Sequence, residues 1–389
     1  MTRNRIPLLA PFNYLLILSF LVIISCDVSE NEIDIEEPLI DIYEEDFSFK
    51  VVGYLPYYRF SLVDNINYDQ VTYVNLAFGN LDASGNLVIG NGEAISPIVQ
   101  KIKSTNTKVL LSIAGGGDTG DHWEKYLSST YRKDCISRIV NFAVTNKLDG
   151  IDVDIEGSLI TSLGVDYNLF VQELKVQLHA KGLAITAALT PTYLDAVITS
   201  ETLNSFDFIN IMAYDATGPW RPNDPGQHSS FSLAESALNF WNIQKGISKE
   251  KLVLGVPFYG RDFEPSDFKA LTYEFIISLN YEYAYIDEVG LLYYNGIPTI
   301  VEKTKLALQN ANGIMIWELG QDAFNELSLL AAIDQTVNSS GCEPSEIKTF
   351  YKDNDGDGLG NLMYPLQSCE APVGYVDNRD DLDDTNPST

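Results

Sequence analysis

Between Leu148 and Gly157 the chain reads "LDGIDVDIEG", which places four carboxylates, Asp149, Asp152, Asp154 and Glu156, within eight positions of an otherwise apolar segment. β-Branched residues alternate with the acids, as they would in a strand, where alternate side chains share a face. Asp152, Asp154 and Glu156 therefore line one wall, and Ile151, Val153 and Ile155 line the other. Asp149 has the opposite parity and sits at the strand entrance, where a structural hydrogen bond is expected. Buried carboxylates are costly unless they are paired or used. Crowding and burial raise carboxyl pKa values, so one member of such a set stays protonated near neutrality and can serve as a general acid. The alternative is an acidic edge strand facing solvent, and such strands rarely alternate acids with bulky β-branched residues.

Something must position that wall. From about residue 50 short apolar runs alternate with longer amphipathic ones, and eight of the short runs can be picked out: "FKVVGYLPY", "VTYVNLAFG", "KVLLSIAGGG", "GIDVDIEG", "LAITAALTP", "FDFINIMAYD", "KLVLGVPFYG" and "GIMIWELG". Helical patterns lie between them, such as Phe170, Leu174 and Leu178. Eight β-α units over this length predict an α/β fold, a closed (β/α)8 TIM barrel, with a doubly wound open sheet as competitor. Neither a P-loop nor a strand-linked GxGxxG is present, which removes the usual nucleotide reading. Barrel sites sit at the carboxyl ends of the strands. Unusual residues collect there: Ser112 and glycines 115 to 117 after the third run, Glu156 after the fourth, Tyr214 and Asp215 after the sixth, Tyr259 and Arg261 after the seventh, Trp317 after the eighth.

Together these residues resemble the signatures of the family 18 glycoside hydrolases, the chitinases and endo-β-N-acetylglucosaminidases. DxxDxDxE is present as Asp149, Asp152, Asp154 and Glu156, MxYD as "MAYD" at 212–215, and the closing aromatic as Trp317. The likeness spans residues 48–337. It departs at "SIAGG", where Ala114 replaces the first glycine of SxGG, a change that bears on local packing. The resemblance implies that Glu156 is the catalytic acid and that the substrate's N-acetyl group is the nucleophile. Asp154 would hold the acetamide N–H, Asp152 would share a proton with Asp154, and Tyr214 would hold the acetamide oxygen. Asp215 would assist distortion and Trp317 would offer a flat sugar platform, with Tyr54, Phe78, Met212 and Arg261 as further substrate contacts. The implied substrate is chitin or another N-acetylglucosamine glycan, and "GPWRPNDPGQHSSF" favours chitin. An endoglycosidase acting on N-glycans and a non-catalytic glycan binder are the alternatives; the intact Glu156 argues against the second. The short segment between the seventh and eighth runs predicts no added α+β insertion and a shallow, open groove.

The formal net charge of −29 over 389 residues repels nucleic acid and anionic surfaces and suits a neutral or cationic substrate. Arg3 and Arg5 precede the apolar run "YLLILSFLVIIS", which ends at Cys26. This has the layout of an export signal, and "IISC" resembles a bacterial lipobox, with Cys26 as the lipidated residue. An exported, lipid-anchored monomer at the outer membrane or cell surface is expected, with 1–26 as signal and 27–47 as an acidic solvated tether. Cys135 falls with Ile139 and Phe142 at helical spacing and reads as a buried thiol, whereas Cys342 and Cys369 are candidates for a disulfide. Residues 338–389 form an acidic tail in which "DNDGDG" sets Asp353, Asp355 and Asp357 at positions one, three and five of a calcium loop. Position twelve is Tyr364, so the segment looks more like a thrombospondin type 3 calcium repeat than an EF-hand, with Asp380, Asp381, Asp383 or Asp384 as further ligands. The chemistry at Glu156 requires no metal or cofactor. His122, His179 and His228 lack ligand spacing, and His179 is expected to be an exposed helical residue.

Overall fold

All eight apolar runs form strands: β1 (Lys50–Pro56), β2 (Tyr73–Leu81), β3 (Lys108–Ala114), β4 (Gly150–Asp154), β5 (Ala184–Leu189), β6 (Phe208–Ile211), β7 (Leu252–Pro257) and β8 (Gly313–Trp317). The computed structural model describes residues 43–381 apart from 91, 117–119, 193–196, 265–268, 341–345, 354, 370 and 372–373. Each strand pairs in parallel with its neighbour, and β1 pairs with both β8 and β2, which closes the barrel. The strands are buried on both faces, which explains why they read as nearly continuous apolar runs. Their outward side chains pack under helices such as Arg132–Thr145 and Val165–His179. Cys135 lies in this outer layer, 1% exposed, its thiol pushed up to about 12 by burial.

The inner layer positions the site. Register places Asp152 of β4 beside Ser112 of β3 and Thr186 of β5, and Asp154 beside Ala114. Inward residues therefore meet their chemical partners on the adjacent strands. Asp149, at the strand entrance, accepts from the Val109 N–H at 2.8 Å and pairs with Lys103 at 2.7 Å.

Several local features differ from the sequence reading. Between β7 and β8 there is an α+β element: Tyr259–Asp262, Lys269–Thr272, Glu288–Val289 and Leu292–Tyr293 form an antiparallel sheet, with helix Tyr273–Leu279 packed on it. Strands of two to four residues are too short for alternation to stand out. The reading of a shallow groove, which rested on the absence of this element, loses its basis. His179 is only partly exposed: Nε2 lies 3.1 Å from Asp207, and the ring stacks on Tyr43 at 4.1 Å. Residues 43–47 thus lie against the base of the barrel, where Asp46 also accepts from the Tyr73 hydroxyl at 3.0 Å and Lys108 at 3.1 Å.

Beyond the helix Leu329–Asn338 the tail folds as a small sheet of Lys348–Lys352, Asn361–Ser368 and Tyr375–Val376. It is tied to the barrel by Lys352 to Asp69 at 2.8 Å and by Gln335 to the Pro365 carbonyl at 3.0 Å. Cys369 is disulfide-bonded. Its expected partner Cys342, like Cys26, Asp383 and Asp384, lies outside the described residues.

Candidate active site

Asp152 lies at the bottom of the acidic wall, 0% exposed, and accepts four hydrogen bonds. Tyr54 (2.7 Å) and Ser112 (2.8 Å) donate to Oδ2, Thr186 (2.6 Å) and Asn210 (3.3 Å) to Oδ1. Burial raises its pKa, and these donors oppose the rise by stabilising the anion. Tyr54, expected among the sugar contacts, is 1% exposed and placed beneath the wall as one of these donors.

Asp154 is 2% exposed, and its Oδ1 has no hydrogen-bond partner. Burial, and then the charges of Glu156 and Asp152, raise its carboxyl well above the usual range and so favour the uncharged form. Glu156 continues the extended backbone just past β4. Burial first, and then the charge of Asp215, push it up to about 7. The repulsion expected within the acidic strand acts between Glu156 and Asp154, and Asp215, which follows β6, adds to it. A small apolar pocket formed by Ile155, Ile160, Ala188, Leu189, Ile198 and Met212 adjoins the acid, which places Met212 in its wall. Gly116 permits the approach from the other side, since a Cβ there would stand 3.0 Å from Glu156 Oε1.

Tyr214 is 9% exposed, and among the described residues its hydroxyl meets only the Met315 sulfur, at 3.8 Å. It keeps its donor capacity for a ligand. Asp215 has a left-handed backbone, φ +60°. Its carboxylate accepts from Tyr259 Oη at 2.7 Å and from Arg261 Nε and Nη2 at 2.9 and 2.7 Å. Burial opposes its ionisation, but its polar neighbours, with Arg261 and Tyr259 as donors to the carboxylate, prevail and hold it at about 2. Arg261 also lies over the rings of Trp220 and Tyr259, at 5.2 and 5.1 Å. Trp317 stacks on Phe78 with ring centroids 5.6 Å apart and leans on Tyr54 at 5.4 Å.

The structure thus gathers Glu156, Asp154, Asp152, Tyr214, Asp215, Arg261, Met212, Trp317 and Phe78 at one end of the barrel. Residues 50–322 match the profile of glycosyl hydrolases family 18. The chain belongs to this family. It is a chitinase-like glycoside hydrolase, and the family's hydrolysis needs no catalytic cofactor. A family 18 chitinase, ChiB, from the chitin utilization locus of Flavobacterium johnsoniae is 40% identical, with a TM-score of 0.72 over 75% of this chain and 94% of that one. A chitinase from Bacteroides thetaiotaomicron is 31% identical, with a TM-score of 0.68 over 76% and 98% of the two chains. Among curated sequences, a probable endochitinase of Caenorhabditis elegans is 33% identical over 46% of this chain, a match that spans 33% of the relative's length.

Sequence reasoning missed His228, Thr186, Asn210 and the pair Arg59–Glu318. Glu318, the residue after Trp317, is 0% exposed and fixed by Arg59 at 3.0 Å and by the Gly320 N–H at 2.9 Å. Thr186 and Asn210 were detectable as polar residues within otherwise apolar strands. His228 carried no such signal, because it lies in an irregular stretch before helix Phe231–Asn239.

Proposed function

We propose that this protein hydrolyses β-1,4 linkages between N-acetylglucosamine residues of chitin or its oligosaccharides, with retention of configuration and with the substrate's own acetamide as nucleophile. The observation that carries this reading is Asp154: buried two positions before Glu156 on the same wall, its Oδ1 without a hydrogen-bond partner among the described residues. A carboxylate that attacks carbon must be ionised, and burial with two acidic neighbours disfavours that form of Asp154, which leaves the substrate's acetamide as the nucleophile. Its free oxygen suits an acetamide N–H. Glu156 gives its proton to the glycosidic oxygen as the C–O bond breaks, while the acetamide oxygen closes on C1 to form an oxazolinium ion. Glu156, now ionised, takes a proton from the incoming water, whose oxygen adds to C1 as the C1–O bond to the acetamide breaks, so C1 regains its original configuration. Tyr214 orients the acetamide oxygen, Asp152 shares the Asp154 proton, and Trp317 with Phe78 supports the sugar face.

Product analysis tests this. Chitin oligosaccharides should yield shorter N-acetylglucosamine oligomers whose first-formed anomer is β. Inversion would refute the mechanism. Inactivity on chitin oligomers with glycan release from a high-mannose glycoprotein would assign the site to the endoglycosidase class.

From the basic residues, apolar run and lipobox-like "IISC" at the N-terminus we also infer an exported lipoprotein anchored through Cys26. Incorporation of labelled fatty acid that Cys26→Ser abolishes would support it, and recovery of wholly unlipidated protein would reject it. In the tail, the carboxylates of Asp353, Asp355 and Asp357 offer oxygens within 4.8 Å of one another, and Asp355 Oδ2 is buried without a hydrogen-bond partner. Hard oxygen donors brought together this way fit calcium, which would relieve their repulsion and brace the loop, remote from the hydrolytic chemistry.

A further inference from the structure

The His228 ring is 0% exposed and wedged behind the end of β6. Its Nε2 lies 3.3 Å from the Tyr259 carbonyl oxygen. A carbonyl can only accept, so Nε2 carries a hydrogen whether the ring is neutral or charged. Nδ1 is left as the variable atom. It stands 3.4 Å from the Asp215 backbone N–H nitrogen and 3.4 Å from Asp215 Oδ1. As a lone pair Nδ1 serves the backbone N–H; as an N–H it serves the carboxylate. It cannot do both.

The backbone bond falls where the chain is strained. Asp215 holds φ +60°, a conformation that costs a non-glycine residue about 1 kcal/mol and persists only where surrounding contacts impose it. Two more bonds from the same stretch grip the turn: the Ala216 N–H to the His228 carbonyl at 3.0 Å, and Ser229 Oγ to the Ala213 carbonyl at 2.7 Å. Ser229 is itself held from behind by the buried Lys303, whose Nζ lies 2.7 Å from both its carbonyl oxygen and its Oγ. Asn295 adds an N–H to the Ser229 carbonyl at 2.9 Å. The turn that carries Tyr214 and Asp215 is thereby tied to helix Ile297–Asn310.

We propose that His228 is a positioning residue for the hydrolysis: as the neutral Nε2–H tautomer it holds the left-handed turn that presents Asp215 to the cleft, and on protonation it exchanges that hold for a bond to the Asp215 carboxylate. The inference rests on the family 18 hydrolase reading of the site. The groups facing the ring are Asp215 after β6, Tyr259 and Arg261 on the strand Tyr259–Asp262, and Lys303 on its helix. Burial and the two cations favour the neutral ring, Asp215 favours the charged one, and burial prevails, so protonation occurs below pH 6.5. Activity should then fall on the acid side as the turn loses its backbone bond and the imidazolium masks the Asp215 charge that lifts Glu156.

The test joins spectroscopy with kinetics on the full chain. The protein contains three histidines, so 15N ring signals can be assigned by substitution. In the free enzyme near neutrality His228 should appear as the Nε2–H tautomer, and Asp215→Asn should lower its pKa. His228→Asn places an acceptor near the Nδ1 position but cannot take up a proton. It should cost up to about tenfold in kcat/KM at neutrality and should remove the His228 step from the acid limb of chitin-oligosaccharide hydrolysis. His228→Leu, which leaves the N–H without an acceptor, should lose about a hundredfold, mainly in kcat. A neutral Nδ1–H tautomer, or an Asn variant whose acid limb coincides with that of the wild type, would overturn the proposal. The tautomer reading needs no substrate, so it separates this failure from a wrong substrate assignment.

Discussion

Arg261 grips Asp215 at two points, Nε to Oδ1 at 2.9 Å and Nη2 to Oδ2 at 2.7 Å, and so ties the added sheet to a carboxylate whose charge helps to raise Glu156. A planar fork matches a carboxylate in a way an ammonium cannot. Asp215 is depressed from 3.8 to about 2, so its ionisation stabilises the fold fully above pH 3.8 and that stabilisation is lost as pH falls through 2. Arg261→Lys should lower Tm at pH 6, and the deficit should shrink toward zero below pH 2. A deficit that is equal at both pH values would place the effect in packing alone.

Glu156→Gln should reduce hydrolysis by about a thousandfold or more while oligosaccharide binding persists, because the amide keeps the shape and loses the proton. In the wild type the acid limb and the basic limb have different owners, and kcat/KM should decline as pH rises through about 7, where Glu156 ionises. A raised carboxyl also costs stability as pH climbs from its ordinary 4.5 to about 7. The Gln variant should therefore melt higher than the wild type above pH 7, with the gain fading below pH 4.5; scanning calorimetry across pH decides this.

Burial and its acidic neighbours favour the uncharged form of Asp154 in the free enzyme, so Asp154→Asn should change little before substrate binds. The loss should appear when positive charge develops on the oxazolinium ion, as a fall of about a hundredfold in kcat with KM nearly preserved. Equal losses in binding and turnover would show that Asp154 acts on the ground state.

Ala114 occupies φ +74° at the position where the family signature has glycine, and its carbonyl accepts from Asn80 at 3.1 Å. Ala114→Gly should stabilise the protein by about 0.5–1 kcal/mol, read from denaturant midpoints at constant m. No gain would mean that the Asn80 bond already absorbs the strain.

Calcium should protect the tail from protease, and a chelator should remove that protection without lowering chitin-oligosaccharide hydrolysis. Loss of hydrolysis in chelator would contradict the separation of the carboxylate loop from the barrel chemistry.

The strand composition was sufficient to read the barrel from the chain, and the spacing of the acids to read the wall they share. Eight strands buried on both faces need continuous apolar runs, and acids at alternate positions can share only one wall, so both facts are written in one dimension. The family signature then named Tyr214, Asp215 and Trp317, because each ends a strand. That Asp215, after β6, adds to the charge on Glu156 was not legible, since no spacing along the chain encodes that approach. Tyr54 read as a sugar contact because its strand-end position resembles one; only register and depth place its hydroxyl under Asp152. His228 and Lys303 stayed invisible for the same reason, since the contacts that give them a role are long-range and are made by an irregular loop and the back of a helix. Local pattern decides which face a residue joins, and closure of the barrel decides which residue it meets there.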